Sequence, residues 1–270
     1  MSTEKKAPPW TTTRFRKLKG REKIVCLTAY DYSTARLVDE AGVHLIMVGD
    51  SLGMTMLGHE STIPVTLDDM IHHSRAVVRG VTRALVVTDM PFLTYQASIP
   101  QAVENAGRIL KEGHADAVKL EGGAIRKETV EVLVENGVPV MGHVGLTPQS
   151  VKEFGGHRVQ GKRARDAEKL KTGAQALEEA GCFSIVLEGI PPNLAAEITE
   201  SIGIPTIGIG AGPHCDGQVL VIHDLLGMYN DLTPKFVKQY ADLGGIIKGA
   251  VELYATDVKR GKFPGPEHCY

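Results

Sequence analysis

Four carboxylic acids, a lysine and a histidine stand at or beside the ends of short apolar runs, and that placement is where the chemistry of this chain is read. Val48-Gly49-Asp50-Ser51, Val87-Thr88-Asp89, Val118-Lys119-Leu120-Glu121, Met141-Gly142-His143 and Val186-Leu187-Glu188 each carry a titratable group at or near the end of such a run. Neighbouring parallel strands lie about 4.8 Å apart, so acids at the ends of consecutive strands reach a common point. Asp50, Asp89 and Glu121 meet that condition. Like charges gathered there need a cation, and oxygen-only ligands that leave open positions favour a hard ion such as Mg²⁺. Each acid taken singly could instead cap the helix that follows it, but recurrence on consecutive run ends favours the metal.

Lys119 and Glu121 are two residues apart, so on a strand they share a face. Lys119 then binds an anion such as a substrate carboxylate, or it neutralises Glu121; the spacing allows both. Glu188 lies between Leu187 and Gly189, away from other charges. A carboxylate so placed can take a proton from carbon next to a carbonyl, or cap a helix before Pro191-Pro192. His143 hydrogen-bonds substrate or a neighbouring acid, or is a structural histidine; the sequence leaves the choice open. The glycine-rich stretch 207–212 lacks the Lys-Ser/Thr of a phosphate loop and reads as close backbone packing.

The elements that must position these groups follow from the alternation of apolar runs with helical spacing, which is the pattern of parallel strands joined by crossover helices. Strands are expected at 23–28, 44–49, 84–89, 115–121, 139–143, 183–188, 205–210 and 218–222. Helices are expected at 33–41, 67–80, 100–112, 125–136, 164–180, 193–201 and 234–257. The link between the last two strands is too short for a full helix. The fold class is therefore α/β, a single (β/α)8 TIM barrel, whose mouth lies at the C-terminal strand ends where the acids fall. Residues 23–270 are read as the catalytic barrel, and residues 1–22 as an N-terminal extension packing under it or on a neighbouring subunit.

A net charge of −2 supplies no basic field for a polyanion, so nucleic acid is not an expected partner. The N-terminus lacks an apolar signal core and no later run approaches a membrane span, so a soluble cytoplasmic protein with no membrane partner is expected. Cys26, Cys182, Cys215 and Cys269 show no C-x-x-C spacing, which suits a reducing compartment and argues against a structural zinc site.

Six ordered blocks carry a resemblance: VGDSLGM (48–54), DMPF (89–92), VKLEGG (118–123), GHVGLTPQS (142–150), LEGIP (187–191) and IGIGAGPHCDGQVLV (207–221). Together they resemble the ketopantoate hydroxymethyltransferase family. The resemblance implies a barrel of the phosphoenolpyruvate/pyruvate-binding type and transfer of a hydroxymethyl group to 3-methyl-2-oxobutanoate, giving 2-dehydropantoate. It implies 5,10-methylenetetrahydrofolate as donor, Mg²⁺ on Asp50, Asp89 and Glu121, and substrate binding by Asp50, Ser51, Asp89 and Lys119. Glu188 is implied as the catalytic base, and the assembly as a homodecamer of two pentameric rings. Segments 51–66 and 147–162 are candidate lids. The rival readings are a Mg²⁺-dependent lyase or mutase of the phosphoenolpyruvate/isocitrate lyase kind, and a non-catalytic metabolite-binding scaffold.

Overall fold

The computed structural model describes residues 8–156, 158–229 and 234–270; the first seven residues of the N-terminal extension, and His157 in one candidate lid, lie outside them. Eight strands, β1 (Ile24–Thr28), β2 (Leu45–Val48), β3 (Leu85–Asp89), β4 (Ala117–Glu121), β5 (Val140–Gly145), β6 (Ser184–Glu188), β7 (Thr206–Ile209) and β8 (Gly217–Leu220), form a closed barrel in chain order. Every pair is parallel, and β8 closes onto β1 through Ile24 opposite Gly217.

Alternation along each strand sorts the side chains into two cores. Leu45, Met47, Leu85, Val87, Ala117, Met141 and Val186 belong to the cluster that fills the barrel. Val118, Leu120, Val140, Val144, Ile185 and Leu187 belong to the cluster shared with the surrounding helices. Because the period is two, the inward set continues from Val87 to Asp89, from Ala117 to Lys119 and Glu121, from Met141 to His143, and from Val186 to Glu188. The lower layers of the barrel are thus apolar and its mouth is polar.

Around the barrel run α1 (Thr12–Arg16), α2 (Tyr32–Glu40), α3 (Leu52–Thr55), α4 (Leu67–Gly80), α5 (Ile99–Gly113), α6 (Lys127–Glu135), α7 (Val151–Phe154), α8 (Ala164–Glu179) and α9 (Pro192–Ser201). Thr66 and Asp69 form a reciprocal capping box that starts α4, and Ser98 caps α5 through the Gln101 N–H. The link 210–216 between β7 and β8 carries no helix. At the opposite end from the mouth, Phe15 of α1 is fully buried in the interior cluster and meets Phe183 edge-on at 5.8 Å. Lys19 anchors the same segment by donating to Asp216 Oδ2 at 2.8 Å, and Asp216 also accepts the Thr206 N–H.

The chain divides into two compact units, Met1–Val221 and Ile222–Tyr270. The second holds α10 (Ile222–Leu225) and α11 (Leu243–Lys259). A helix over 234–257 was expected; it begins instead at Leu243, where the Asp242 side chain accepts the Gly245 N–H and sets the start. No residue of α11 is buried. Among the described residues no helix is long and apolar enough to cross a membrane.

Asp39, only 4% exposed, ties the entry of β3 in place. Its carboxylate accepts N–H bonds from Thr82, Arg83 and Ala84 at 2.9, 3.1 and 2.7 Å, and a hydroxyl bond from Thr82 at 2.8 Å. Burial alone would lift its pKa, but these donors outweigh burial and hold the carboxyl below its ordinary value. A depressed folded-state pKa contributes stability that is present above the unfolded pKa and lost as pH falls through the folded one. Asp39→Asn should therefore cost about 1–3 kcal/mol at neutral pH, and the gap from wild type should close below about pH 4. Chemical denaturation at several pH values checks both parts.

Candidate active site

Strand register decides which side chains meet at the mouth. Asp89 pairs with Lys119 across β3 and β4, Glu121 with His143 across β4 and β5, and Gly145 with Glu188 across β5 and β6. Asp50 follows β2, and its backbone N–H donates to Asp89 Oδ2 at 3.1 Å. Lys119 Nζ lies 3.1 Å from Asp89 Oδ2 and 3.3 Å from His143 Nδ1. His143 Nδ1 is 3.6 Å from Glu121 Oε1, and its Nε2 is 3.3 Å from Glu188 Oε2. Asp50, Asp89, Lys119, Glu121 and His143 are all buried, whereas the Glu188 side chain keeps 16% of its surface exposed. Ser51 stands beside them, its Oγ 2.8 Å from the Tyr30 hydroxyl. All seven sequence-read site residues thus fall in one region.

The charges are unbalanced. Burial would lower the pKa of Lys119, but Asp89, Glu121 and Asp50 outweigh it and keep the ammonium charged. Burial and the neighbouring Asp89 push Asp50 up to about 7, against the pull of Lys119. Burial and Asp50 raise Glu121 likewise. Burial and Lys119 hold His143 well below its usual value, so its imidazole is neutral. A charged Lys119 can only donate, so Nδ1 accepts and the ring proton sits on Nε2, facing Glu188. That contact has the separation of a hydrogen bond without its alignment, since Nε2 has no hydrogen-bond partner by angle.

The residues fit a divalent cation on two counts. One lysine, Lys119, faces three acids, Asp89, Glu121 and Asp50, and the buried Asp89 Oδ1 has no hydrogen-bond partner. An orphaned carboxylate oxygen in a dry site is costly unless a cation or donor meets it. The set is not closed, however: among the described residues no group of three or more His, Cys, Asp or Glu is already arranged to hold an ion.

Gln149, which the sequence reading did not single out as a site residue, occupies the middle of the acids. Its Nε2 donates to Asp50 Oδ2 and Met90 O, both at 2.9 Å, and its backbone N–H donates to Glu121 Oε2 at 3.1 Å. Its Oε1 accepts from the Tyr95 hydroxyl at 2.7 Å and from Gln96 Nε2 at 3.0 Å. Tyr95 in turn accepts the Glu121 N–H at 3.0 Å. Residues from two loops, the one after β3 and the one after β5, are thereby locked to two of the acids. The signal available in the sequence was only that Gln149 lies inside the block containing His143. Gln149→Ala should lower stability by about 1–3 kcal/mol, because it strands several buried polar groups at once. An unchanged melting temperature would show that these bonds are not made in solution.

The glycine-rich stretch behaves as backbone packing. A Cβ on Gly212 would lie 2.7 Å from Pro192 Cβ, and the backbone there has φ +80°.

Comparison with known proteins adds an independent line. Residues 9–266 match the family model described as ketopantoate hydroxymethyltransferase. A relative from Clostridium novyi (strain NT), named 3-methyl-2-oxobutanoate hydroxymethyltransferase, is 56% identical over 96% of this chain and 95% of its own. Among solved structures, 2,3-dimethylmalate lyase, a member of the PEP mutase/isocitrate lyase superfamily, aligns with TM-score 0.60 and 15% identity over 96% of this chain and 88% of the other. Phosphonopyruvate hydrolase, solved as a complex with oxalate and Mg²⁺, aligns with TM-score 0.61 and 12% identity over 95% and 93%. These structural matches speak to the fold alone, the closed eight-stranded parallel barrel.

Proposed function

The chain belongs to the ketopantoate hydroxymethyltransferase family, and from that premise we propose how its barrel mouth transfers a hydroxymethyl group to 3-methyl-2-oxobutanoate. The single observation that carries the reading is the convergence of Lys119, His143, Glu188 and the acids Asp50, Asp89 and Glu121 on one largely buried cluster. Asp50 and Asp89, with Glu121, would hold Mg²⁺, and Ser51 would add a hydroxyl beside them. When bound, the ion supplies Lewis-acid polarisation of the keto group and so favours loss of the adjacent C–H proton.

Lys119 binds the substrate carboxylate by a charge-assisted hydrogen bond. Glu188 accepts the proton from C3. His143, neutral and carrying its proton on Nε2, faces the Glu188 carboxylate, orients it, and can also reach bound substrate. The carbon nucleophile left at C3 forms a C–C bond to the methylene carbon of a reduced folate, 5,10-methylenetetrahydrofolate, as that carbon's bond to one folate nitrogen breaks; water then replaces the second nitrogen to give the hydroxymethyl group of 2-dehydropantoate, and tetrahydrofolate leaves with the C3 proton and one proton of the water on its two nitrogens. Segments 51–66 and 147–162 act as lids that exclude bulk water. By family resemblance the working assembly is a homodecamer.

The lyase or mutase alternative would draw on a reactive cysteine over the metal. Cys26, Cys182 and Cys215 are buried, and burial pushes their thiols up, Cys182 to about 12. They supply no exposed thiolate. The deciding assay follows 2-dehydropantoate formation from 3-methyl-2-oxobutanoate and methylenetetrahydrofolate with and without Mg²⁺. Product that needs both folate and the metal supports the reading, while turnover by C–C cleavage of a larger oxo acid would replace it.

A further inference from the structure

Each of the three acids Asp50, Asp89 and Glu121 has one carboxylate oxygen held by the protein and one left over, and a single residue makes that division on two of them. Asp89 Oδ2 takes the Asp50 N–H and the Lys119 ammonium, both at 3.1 Å, while the buried Asp89 Oδ1 has no partner. Gln149 does the same for the other two. Its side-chain Nε2 donates to Asp50 Oδ2 at 2.9 Å, and its backbone N–H donates to Glu121 Oε2 at 3.1 Å. Among the described residues the hydrogen bonds given to these two carboxylates fall on Oδ2 and Oε2, which leaves Asp50 Oδ1 and Glu121 Oε1. Glu121 Oε1 faces His143 Nδ1 at 3.6 Å, the ring nitrogen that carries no proton.

The end of the amide that meets Asp50 is fixed from behind. Gln149 Oε1 accepts from the Tyr95 hydroxyl at 2.7 Å and from Gln96 Nε2 at 3.0 Å, and Nε2 also donates to Met90 O at 2.9 Å. Turning the amide over would set its carbonyl against the Asp50 carboxylate and the Met90 carbonyl, and its NH₂ against the Gln96 donor. Gln149 is only 4% exposed, so bulk water does not compete for these bonds. A carboxylate with one oxygen tied in this way offers a single oxygen to an ion. Mg²⁺ takes single oxygens at about 2.0–2.1 Å in a near-octahedral set, whereas Ca²⁺ takes more oxygens at longer reach and often both from one carboxylate. Groups that hold metal ligands from behind typically change metal affinity by about 10–100-fold.

We propose that Gln149 is a positioning residue of the metal site: by tying one oxygen each of Asp50 and Glu121 it confines both acids to single-oxygen ligation and so selects Mg²⁺ over the larger Ca²⁺. The proposal rests on the reading of Asp50, Asp89 and Glu121 as the metal ligands, and it adds a source of ion selectivity that lies outside the ligands themselves. It also gives the buried amide a role that an apolar side chain of the same size, able to fill the space between the two loops, could not perform.

The test titrates Mg²⁺ and Ca²⁺ separately into the full-length enzyme by calorimetry, with saturating 3-methyl-2-oxobutanoate and no folate donor. Gln149→Met keeps most of the side-chain volume and the backbone N–H but removes the amide. It should weaken Mg²⁺ binding by about tenfold or more and Ca²⁺ binding far less, which narrows the preference for Mg²⁺. Tyr95→Phe keeps Gln149 but releases its carbonyl end, and should move the same ratio in the same direction by a smaller factor; it carries the test if Gln149→Met does not fold. The melting temperature of the metal-free protein should fall in both variants whatever the amide does for the ion, so the ratio of the two affinities is the deciding readout. A ratio unchanged from wild type in the folded variants overturns the proposal and leaves Gln149 a packing element, with the metal site standing. Mg²⁺ binding that survives Asp50→Asn combined with Asp89→Asn at full strength overturns the ligand assignment, and the proposal with it.

Discussion

Glu188→Gln should reduce deuterium exchange at C3 of 3-methyl-2-oxobutanoate by about a thousandfold in the absence of folate, the range that loss of a positioned base produces. The substitution keeps the shape of the side chain and removes only its ability to take a proton. Its amide oxygen can still face the Nε2–H of His143, which in wild type lies 3.3 Å from the carboxylate. The fold and the binding of the oxo acid should therefore survive, so kcat falls while KM changes little. Transfer from the folate donor should fall in parallel, since the same proton must leave first. Exchange at the wild-type rate would move the role of base elsewhere, with Glu121 the neighbouring carboxylate to try next.

Asp50→Asn combined with Asp89→Asn should abolish the dependence of oxo-acid binding on Mg²⁺. The amides keep the volume of the acids but carry no charge, and affinity measured by calorimetry in saturating Mg²⁺ should drop on the order of a hundredfold or more. Binding that keeps its affinity and its metal requirement would count against these two residues as ligands. Asp50 has an opposite effect on the metal-free fold. Asp50 is raised to about 7, from an ordinary value of 3.8, by burial and by Asp89. A raised folded-state pKa means that stability is full below the unfolded value and is lost as pH rises through the folded one. With chelator present, wild type should therefore become less stable between about pH 4 and 7, and Asp50→Asn should flatten that slope. Destabilisation tolerated at a site is what a function-bearing cluster predicts.

Much of this was legible in the chain because the relevant rules are local. A strand alternates with period two whatever surrounds it, so Ala117, Lys119 and Glu121 had to share a face, and an apolar run ending in an acid had to offer that acid at the strand's end. The short 210–216 link likewise excluded a crossover helix before the structure showed none. The six blocks pointed to the family that the match over residues 9–266 then established. The start of the last helix was misjudged because apolar spacing between 234 and 242 carries no weight against a capping aspartate at 242.

The sequence by itself determined the barrel, the shared face of Lys119 and Glu121, and the placing of Asp50, Asp89, Glu121, His143 and Glu188 at or beside strand ends. Only the tertiary structure decided that Gln149 threads between Asp50 and Glu121, that Lys119 sits against His143 and so fixes its proton on Nε2, and that Phe15 fills the far end of the barrel. The reason is physical: side-chain parity is set by adjacent peptide units, whereas contacts between residues on separate loops and strands exist only once the barrel has closed and brought those segments to one place.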